Sequence, residues 1–249
     1  MKDPRLPAPR ADELQGRVIA VTGAGDGIGR AVAMAAARHG AQVILIGRTV
    51  KKLQAVHRDI VAACGDVATI APLDLEKALA GDYDTLAAAI LERYGHLDGL
   101  VHCAGLLGAM TPIEQYDVPT WCKVLHVNVT AAFVLTQVLL PVLRKSTDAS
   151  VIFSSSSVGR QGRAYWGAYA VSKFAVEGLG QVLAAEMQGS GPVRVNVLNP
   201  GATRTLMRRQ AFPSENADTL ATPDQVAPAY IALLGPSGAS LDGQSLDCQ

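Results

Sequence analysis

Residues 17–29, Arg17-Val18-Ile19-Ala20-Val21-Thr22-Gly23-Ala24-Gly25-Asp26-Gly27-Ile28-Gly29, decide the architecture. The first six form a short apolar run without alternation, which suits a strand buried on both faces. Glycines follow in a G-x-x-x-G-x-G spacing (Gly23, Gly27, Gly29), not the strict G-x-G-x-x-G. Behind them an alanine-rich stretch from about Ile28 to His39 is stopped by Gly40. Strand, glycine turn and helix make the first βα unit of a nucleotide-binding fold. Its glycines let backbone approach a pyrophosphate, whose charge meets free N–H groups at the helix N-terminus. Gly23, Gly25, Asp26, Gly27, Ile28 and Gly29 are therefore candidate cofactor contacts, although the charge of Asp26 opposes a phosphate.

The same alternation continues outward. A second strand, Gln42 to Ile46, ends at Gly47-Arg48-Thr49, where an adenosine ribose is met about 20 residues after the glycines. An acidic residue there would bind a ribose 2′-hydroxyl. Gly47 cannot, whereas the Arg48 guanidinium can pair with a 2′-phosphate. This favours NADP(H) and leaves NAD(H) as the alternative. A helix over 51–63 leads to a strand at 67–70, with Asp74 at its exit, placed to accept from an adenine amine. After a helix over 84–94, a fourth strand, 97–102, runs into Cys103-Ala104-Gly105, where small Ala104 and Gly105 allow the nicotinamide ribose to lie close.

A long apolar helix is predicted over 118–143, carrying Asn128 between two valines. That amide either bonds backbone or props a buried water. A fifth strand over 150–153 opens into Ser154-Ser155-Ser156-Ser157, and a helix running to about Met187 places Tyr169 and Lys173 at i and i+4 on one face. A hydroxyl at a strand end beside a helical Tyr/Lys pair is a candidate proton-transfer site. Strand six, 193–198, breaks at Asn199-Pro200-Gly201. Residues 204–222 have no clean period and read as a mobile segment over the site. A helix over 223–234 and a short strand at 245–246 close the chain. Six βα repeats imply an α/β doubly wound Rossmann fold: a seven-stranded parallel sheet, order 3-2-1-4-5-6-7, with helices on both faces. The domain is expected over 16–249, with 1–15 a flexible extension.

Composition excludes other classes. The formal net charge is zero, so no nucleic-acid surface or anionic-membrane partner is expected. Four scattered cysteines without C-x-x-C spacing argue against a metal site or a disulfide framework and suit a reducing, cytoplasmic setting. No unbroken apolar run approaches the roughly 18 residues of a membrane span.

Thr22-Gly23-Ala24-Gly25-Asp26-Gly27-Ile28-Gly29, Asp74, Ala104-Gly105, Asn128, Ser156, Tyr169-x-x-x-Lys173 and Pro200-Gly201-x-x-x-Thr205, in this order, resemble the short-chain dehydrogenase/reductase family in its compact branch. Ser154 to Lys173, Gly105 to Gly108 and Arg209 to Pro213 look like a narrower bacterial group, the YciK-type oxidoreductases. The resemblance implies hydride transfer between NADP(H) and a carbonyl or secondary alcohol. It makes Tyr169 the general acid/base and gives Lys173 two roles, lowering the tyrosine pKa and holding the nicotinamide ribose. Ser156 then bonds the substrate oxygen and Asn128 fixes a relay water. Cofactor contacts extend to Leu75, Pro200, Gly201, Thr203 and Thr205, and a homodimer or homotetramer formed through helices 118–143 and 164–187 is expected. Ser156 is preferred over Ser155 because it lies thirteen residues before Tyr169 and precedes x-x-Gly159.

Two departures stand out. His102-Cys103 replaces the usual Asn-Asn, which removes a strand-bracing hydrogen bond and implies weaker cofactor binding. Asp26 stands where NADP-preferring members often carry Arg or Lys. The substrate is not legible: Leu106, Leu107, Val158, Trp166 and Met207 could line an apolar pocket, and Arg160, Arg163, Arg204 and Arg208 lie near in sequence, mostly as expected surface or bracing residues. The alternative function is a catalytically silent NADP(H)-binding regulatory or scaffold protein.

Overall fold

The computed structural model describes residues 2–249. Its strands are β1 (Val18–Thr22), β2 (Gln42–Gly47), β3 (Ala68–Pro72), β4 (Gly99–His102), β5 (Ala149–Ser154), β6 (Val193–Asn199) and β7 (Ser245–Asp247). They pair in parallel, in the order β3-β2-β1-β4-β5-β6-β7. Parallel strands need covering on both faces, and the side-chain period of two divides the core accordingly. Ile19, Val21, Val43 and Leu45 face α1 (Gly27–Arg38), α2 (Val50–Cys64) and α8 (Pro223–Leu234). Val18, Ala20, Ile44 and Ile46 face the other layer, with α3 (Ala80–Tyr94), α5 (Ala131–Leu143) and α6 (Gly167–Met187). The chain turns outward from β1 to β3, then returns to β4 on the other side of β1. That reversal opens a crevice at the carboxyl ends of β1 and β4, where ligands bind in such sheets.

Three expectations are corrected. Residues 2–15 are not a free extension; Met1 lies outside the described residues. Leu14 is fully buried and Leu6 nearly so, both in the core under α1 and α8. The buried Glu13 carboxylate accepts from the Ser237 N–H and hydroxyl, and Asp3 N–H donates to the Asp247 carbonyl. Prolines and charges hid these anchor residues in the sequence.

The predicted helix over 118–143 is interrupted. Between α4 (Val118–Leu125) and α5 lies a π-helical segment, His126–Thr130, in which the Ala131 N–H reaches back five residues to the His126 carbonyl. A single wide turn of this kind is often found at functional sites. The whole 118–143 stretch has the length and apolarity of a membrane span. Its side bearing Leu135, Leu139 and Leu143 is nonetheless packed in the sheet core.

Residues 204–222 are also ordered. They contain α7 (Leu206–Ala211), capped by the Thr205 hydroxyl, which accepts from the Arg208 N–H at 3.1 Å. A Thr203–Ala221 bridge and the Arg208–Glu215 pair tie the segment down.

Candidate active site

The glycine turn after β1 is shaped by what it touches. Gly23 adopts φ +67°, and a Cβ there would crowd the Ala104 backbone at 3.0 Å. A Cβ on Gly29 would overlap the Gly23 carbonyl, so α1 can begin this close to β1 only with glycine. Gly27 has φ +51° and faces Thr205. The buried Thr22 hydroxyl accepts from the Cys103 and Ala104 N–H groups, both at 3.1 Å, and fixes the exit of β4 beside the turn. Asp26 caps α1, its carboxylate accepting from the Gly27 N–H at 2.8 Å.

Two cavities share Gly23 and Gly105 and together form one trough. The first, about 130 Å³, is lined by Gly47, Arg48, Asp74, Leu75, Ala104 and Leu106 among others. The second, about 230 Å³, is lined by Gly27, Ile28, Gly29, Tyr169, Lys173, Pro200 and Thr205 among others. Residues predicted from five strand ends and one helix thus meet in one place. Gly201 and Thr203 sit on the wall of an adjoining space of about 90 Å³ above the second cavity. The Thr203 hydroxyl itself turns back to the Pro200 and Gly201 carbonyls.

The serine cluster divides into four roles. Ser154 points inward, 3.0 Å from the Tyr230 hydroxyl and 3.4 Å from the Cys103 sulfur. Ser155 is 2% exposed, and its Oγ has no protein partner although it borders both the second cavity and the space above it. Ser156 lies near the Tyr169 phenol, where its hydroxyl works against the rise in that group's pKa. Ser157 is exposed.

Tyr169 and Lys173 are both buried on α6. The lysine Nζ lies 5.5 Å from the tyrosine ring centroid and donates to the Ser154 carbonyl at 2.7 Å. Burial disfavours each charged form. The phenol is pushed up to about 12, and the ammonium is pulled down to about 8. Loss of water around the phenolate sets the direction of the tyrosine's shift in this arrangement, and the nearby Ser156 opposes it.

Of the two alternatives for the Asn128 amide, the structure shows bonding to backbone, joined by one side-chain partner. Its Oδ1 accepts from the Leu106 N–H at 2.7 Å, and its Nδ2 donates to the Leu106 carbonyl and the Ser172 hydroxyl, both at 2.9 Å. The π segment aims the amide at the loop after β4, so Asn128 holds that loop against the Tyr/Lys helix.

The His102-Cys103 departure is compensated by other contacts. His102 stacks on Phe153 at 4.8 Å and its Nε2 lies 2.9 Å from the Thr136 hydroxyl, bracing β4 against β5 and α5. Burial, with Lys173 nearby, drops the imidazole to about 3, so it stays neutral.

Above the tyrosine, Trp166 lies 5.7 Å from the Tyr169 ring and 5.8 Å from Phe212, with Leu107 and Met207 in the same apolar cluster. Val158 belongs to that cluster, whereas Leu106 lines the first cavity. Of the four arginines, Arg160 bonds Glu177 and Asp247, Arg204 pairs with Asp218, and Arg208 with Glu215. Arg163 instead lies over the Phe212 ring at 5.5 Å. Sequence reasoning missed Lys52, whose Nζ meets the Asp26 carboxylate at 2.5 Å, and Glu76, which pairs with Arg48 and Lys123. A lysine one turn into a helix carries no signal of its own.

A dinucleotide fits these residues: a glycine cradle that a Cβ would fill, a cation at the ribose position and an orphaned buried hydroxyl at the far end. The comparisons agree. The sequence model described as short chain dehydrogenase matches residues 17–216. The chain is 48% identical over 241 residues to the uncharacterized oxidoreductase YciK of Escherichia coli K12, covering 97% of this chain and 95% of that one. A solved chain from Shigella flexneri 2a complexed with NADP has a TM-score of 0.94 at 48% identity, covering 96% of this chain and 100% of that one. One from Escherichia coli CFT073 complexed with NADPH has a TM-score of 0.94 at 49% identity, covering 97% and 100%. Fold, trough and matched residues together place the chain in the short chain dehydrogenase family of oxidoreductases.

Proposed function

We propose that this protein is an NADP(H)-dependent carbonyl reductase, or alcohol dehydrogenase in the reverse direction, with Tyr169 as general acid/base. The observation that carries this reading is a buried phenol, one turn from a buried lysine, that shares with Ser156 the junction of a dinucleotide trough and an apolar space. Bound in the trough, the nicotinamide supplies or accepts the hydride at the substrate carbon. In reduction, Ser156 Oγ donates to the carbonyl oxygen and orients it. Tyr169 Oη then delivers a proton to that oxygen as the hydride arrives, so ketone becomes secondary alcohol and phenol becomes phenolate. A phenol that holds its proton firmly is the correct ground state for an acid. Lys173 places its positive charge one turn from the oxygen where negative charge develops.

Glycines and Arg48 bind the cofactor phosphates, Asp74 and Leu75 the adenine, and Ser155 Oγ and Thr205 the carboxamide end. Leu107, Trp166 and Met207 line the space above the tyrosine and favour an apolar carbonyl compound. Exposed Phe133 on α5 with Phe174 and Val182 on α6 support a homodimer or homotetramer through these helices. Four free cysteines suit a reducing compartment.

NADPH oxidation against a panel of small ketones, aldehydes and diketones tests the reading. Turnover that Tyr169→Phe abolishes, with NADPH binding retained, is expected. NADPH binding without turnover of any carbonyl would favour the regulatory alternative.

A further inference from the structure

Asp26 is a carboxylate at the mouth of a phosphate-binding turn, and alone it repels an anion. The structure answers this with Lys52, in the first turn of α2, whose ammonium crosses to Asp26 Oδ2 at 2.5 Å. The contact is built into the backbone packing: Gly25, next to Asp26, lies so close to α2 that a Cβ on it would meet Lys52 Cβ at 3.0 Å. The loop is also held at the end of β2. Ala24 N–H donates to the Ile46 carbonyl at 3.2 Å, and Thr22 is in register with Ile46. The Asp26–Lys52 pair and Arg48 therefore come from the two strand ends that flank the adenosine ribose. Arg48 is itself lightly held, 3.5 Å from Glu76, whose other oxygen takes Lys123 at 2.8 Å. Both cations are half exposed, at 50% for Lys52 and 56% for Arg48.

We propose that Lys52 is a second cofactor-specificity residue: it cancels the Asp26 carboxylate and, with Arg48, forms a two-cation seat for the 2′-phosphate of NADP(H). The proposal rests on the NADP(H) reading and extends it. Without Lys52 the seat would hold Arg48, already shared with Glu76, and the uncompensated Asp26 carboxylate, which could not select a dianionic phosphate over a hydroxyl. With it, the loop is locally neutral before binding, and the arriving phosphate shares the ammonium with Asp26. The lysine Nζ has three donors, enough for both oxygens at once.

The test is equilibrium binding, followed by tryptophan fluorescence, of NADPH and NADH to the intact protein and to Lys52→Ala, Lys52→Arg and Lys52→Ala/Asp26→Asn. Lys52→Ala is expected to weaken NADPH by about tenfold or more, the worth of one charge-assisted hydrogen bond, and NADH by less than about twofold. The salt dependence of NADPH binding should become shallower in the same variant. Lys52→Arg should keep the preference, and removing the Asp26 charge in the Ala background should restore part of the NADPH affinity. Equal loss for both cofactors would reduce Lys52 to a structural brace and overturn the proposal. So would unchanged NADPH binding. An unmutated protein that binds NADH as tightly as NADPH would instead overturn the NADP(H) reading itself.

Discussion

The two ends of the trough are made of different materials. At the end near β2 and β3, the wall is made of backbone and half-exposed side chains: the Gly23–Gly29 turn, Arg48 and Asp74. At the other end it is made of, and backed by, buried side chains with fixed protein partners: Tyr169 beside Lys173, Lys173 on the Ser154 carbonyl, and behind them Asn128 on Leu106 and Ser172. The half-exposed side chains of the first end can lose or gain affinity without disturbing the core. The second cannot be altered without changing proton chemistry or the packing that supports it.

The sharpest way to break this contrast is Tyr169→Phe. Carbonyl reduction should fall by about 10³-fold, the usual worth of a positioned acid, with the NADPH dissociation constant changed by less than about twofold. A comparable loss of affinity would mean the two ends are not separable. Gly29→Ala should act in the opposite sense. The added Cβ overlaps the Gly23 carbonyl, so the turn must shift, costing about 1–3 kcal/mol of stability and weakening NADPH by more than about tenfold. Denaturant unfolding and cofactor titration read both.

Asn128→Ala removes three hydrogen bonds between buried elements. About 2 kcal/mol of stability should go, seen as a lowered unfolding midpoint, and reduction should slow even at saturating cofactor.

A smaller effect comes from pH. Folding pulls the Lys173 ammonium from 10.5 down to about 8. Between those values the unfolded chain holds the proton that the folded one has released, so stability should rise with pH across that window. Below about 8 the cost of the buried charge is fully present. Reduction should decline as pH climbs through about 8, because a neutral Lys173 no longer favours the developing phenolate. A flat profile would detach the lysine from the chemistry. The least effect is expected from Arg163→Ala. With the other three arginines paired to carboxylates, KM for acidic carbonyl compounds should move by less than about twofold, as for an ordinary surface change.

What could be read from the chain follows the same division. The strands, the glycine turn and the Tyr169/Lys173 pair are local patterns, carried by residues within a few positions of each other. The role of Asn128 was not legible, because Leu106 lies 22 residues away and the wide helical turn that aims the amide has no compositional mark. The same holds for Lys52, 26 residues from Asp26, and for His102, whose Thr136 partner is 34 residues on. Leu6 and Leu14 were hidden by the prolines and charges around them. Local periodicity reports elements; it does not report which polar side chain meets which backbone group across the sheet.

The wide turn at His126–Thr130 makes chain length itself a functional variable. Each residue of a regular helix rotates its successor by about 100°. Deleting one residue from this segment would let 118–143 wind as an uninterrupted helix, with more regular backbone bonding than it has now. It would also change the angular offset between α4 and α5, so the Asn128 amide could not meet Leu106 while both helices kept their packing. A one-residue deletion here is thus a change that improves a local helix and dismantles the site, and a homologous chain lacking that residue would need another way to hold the loop after β4.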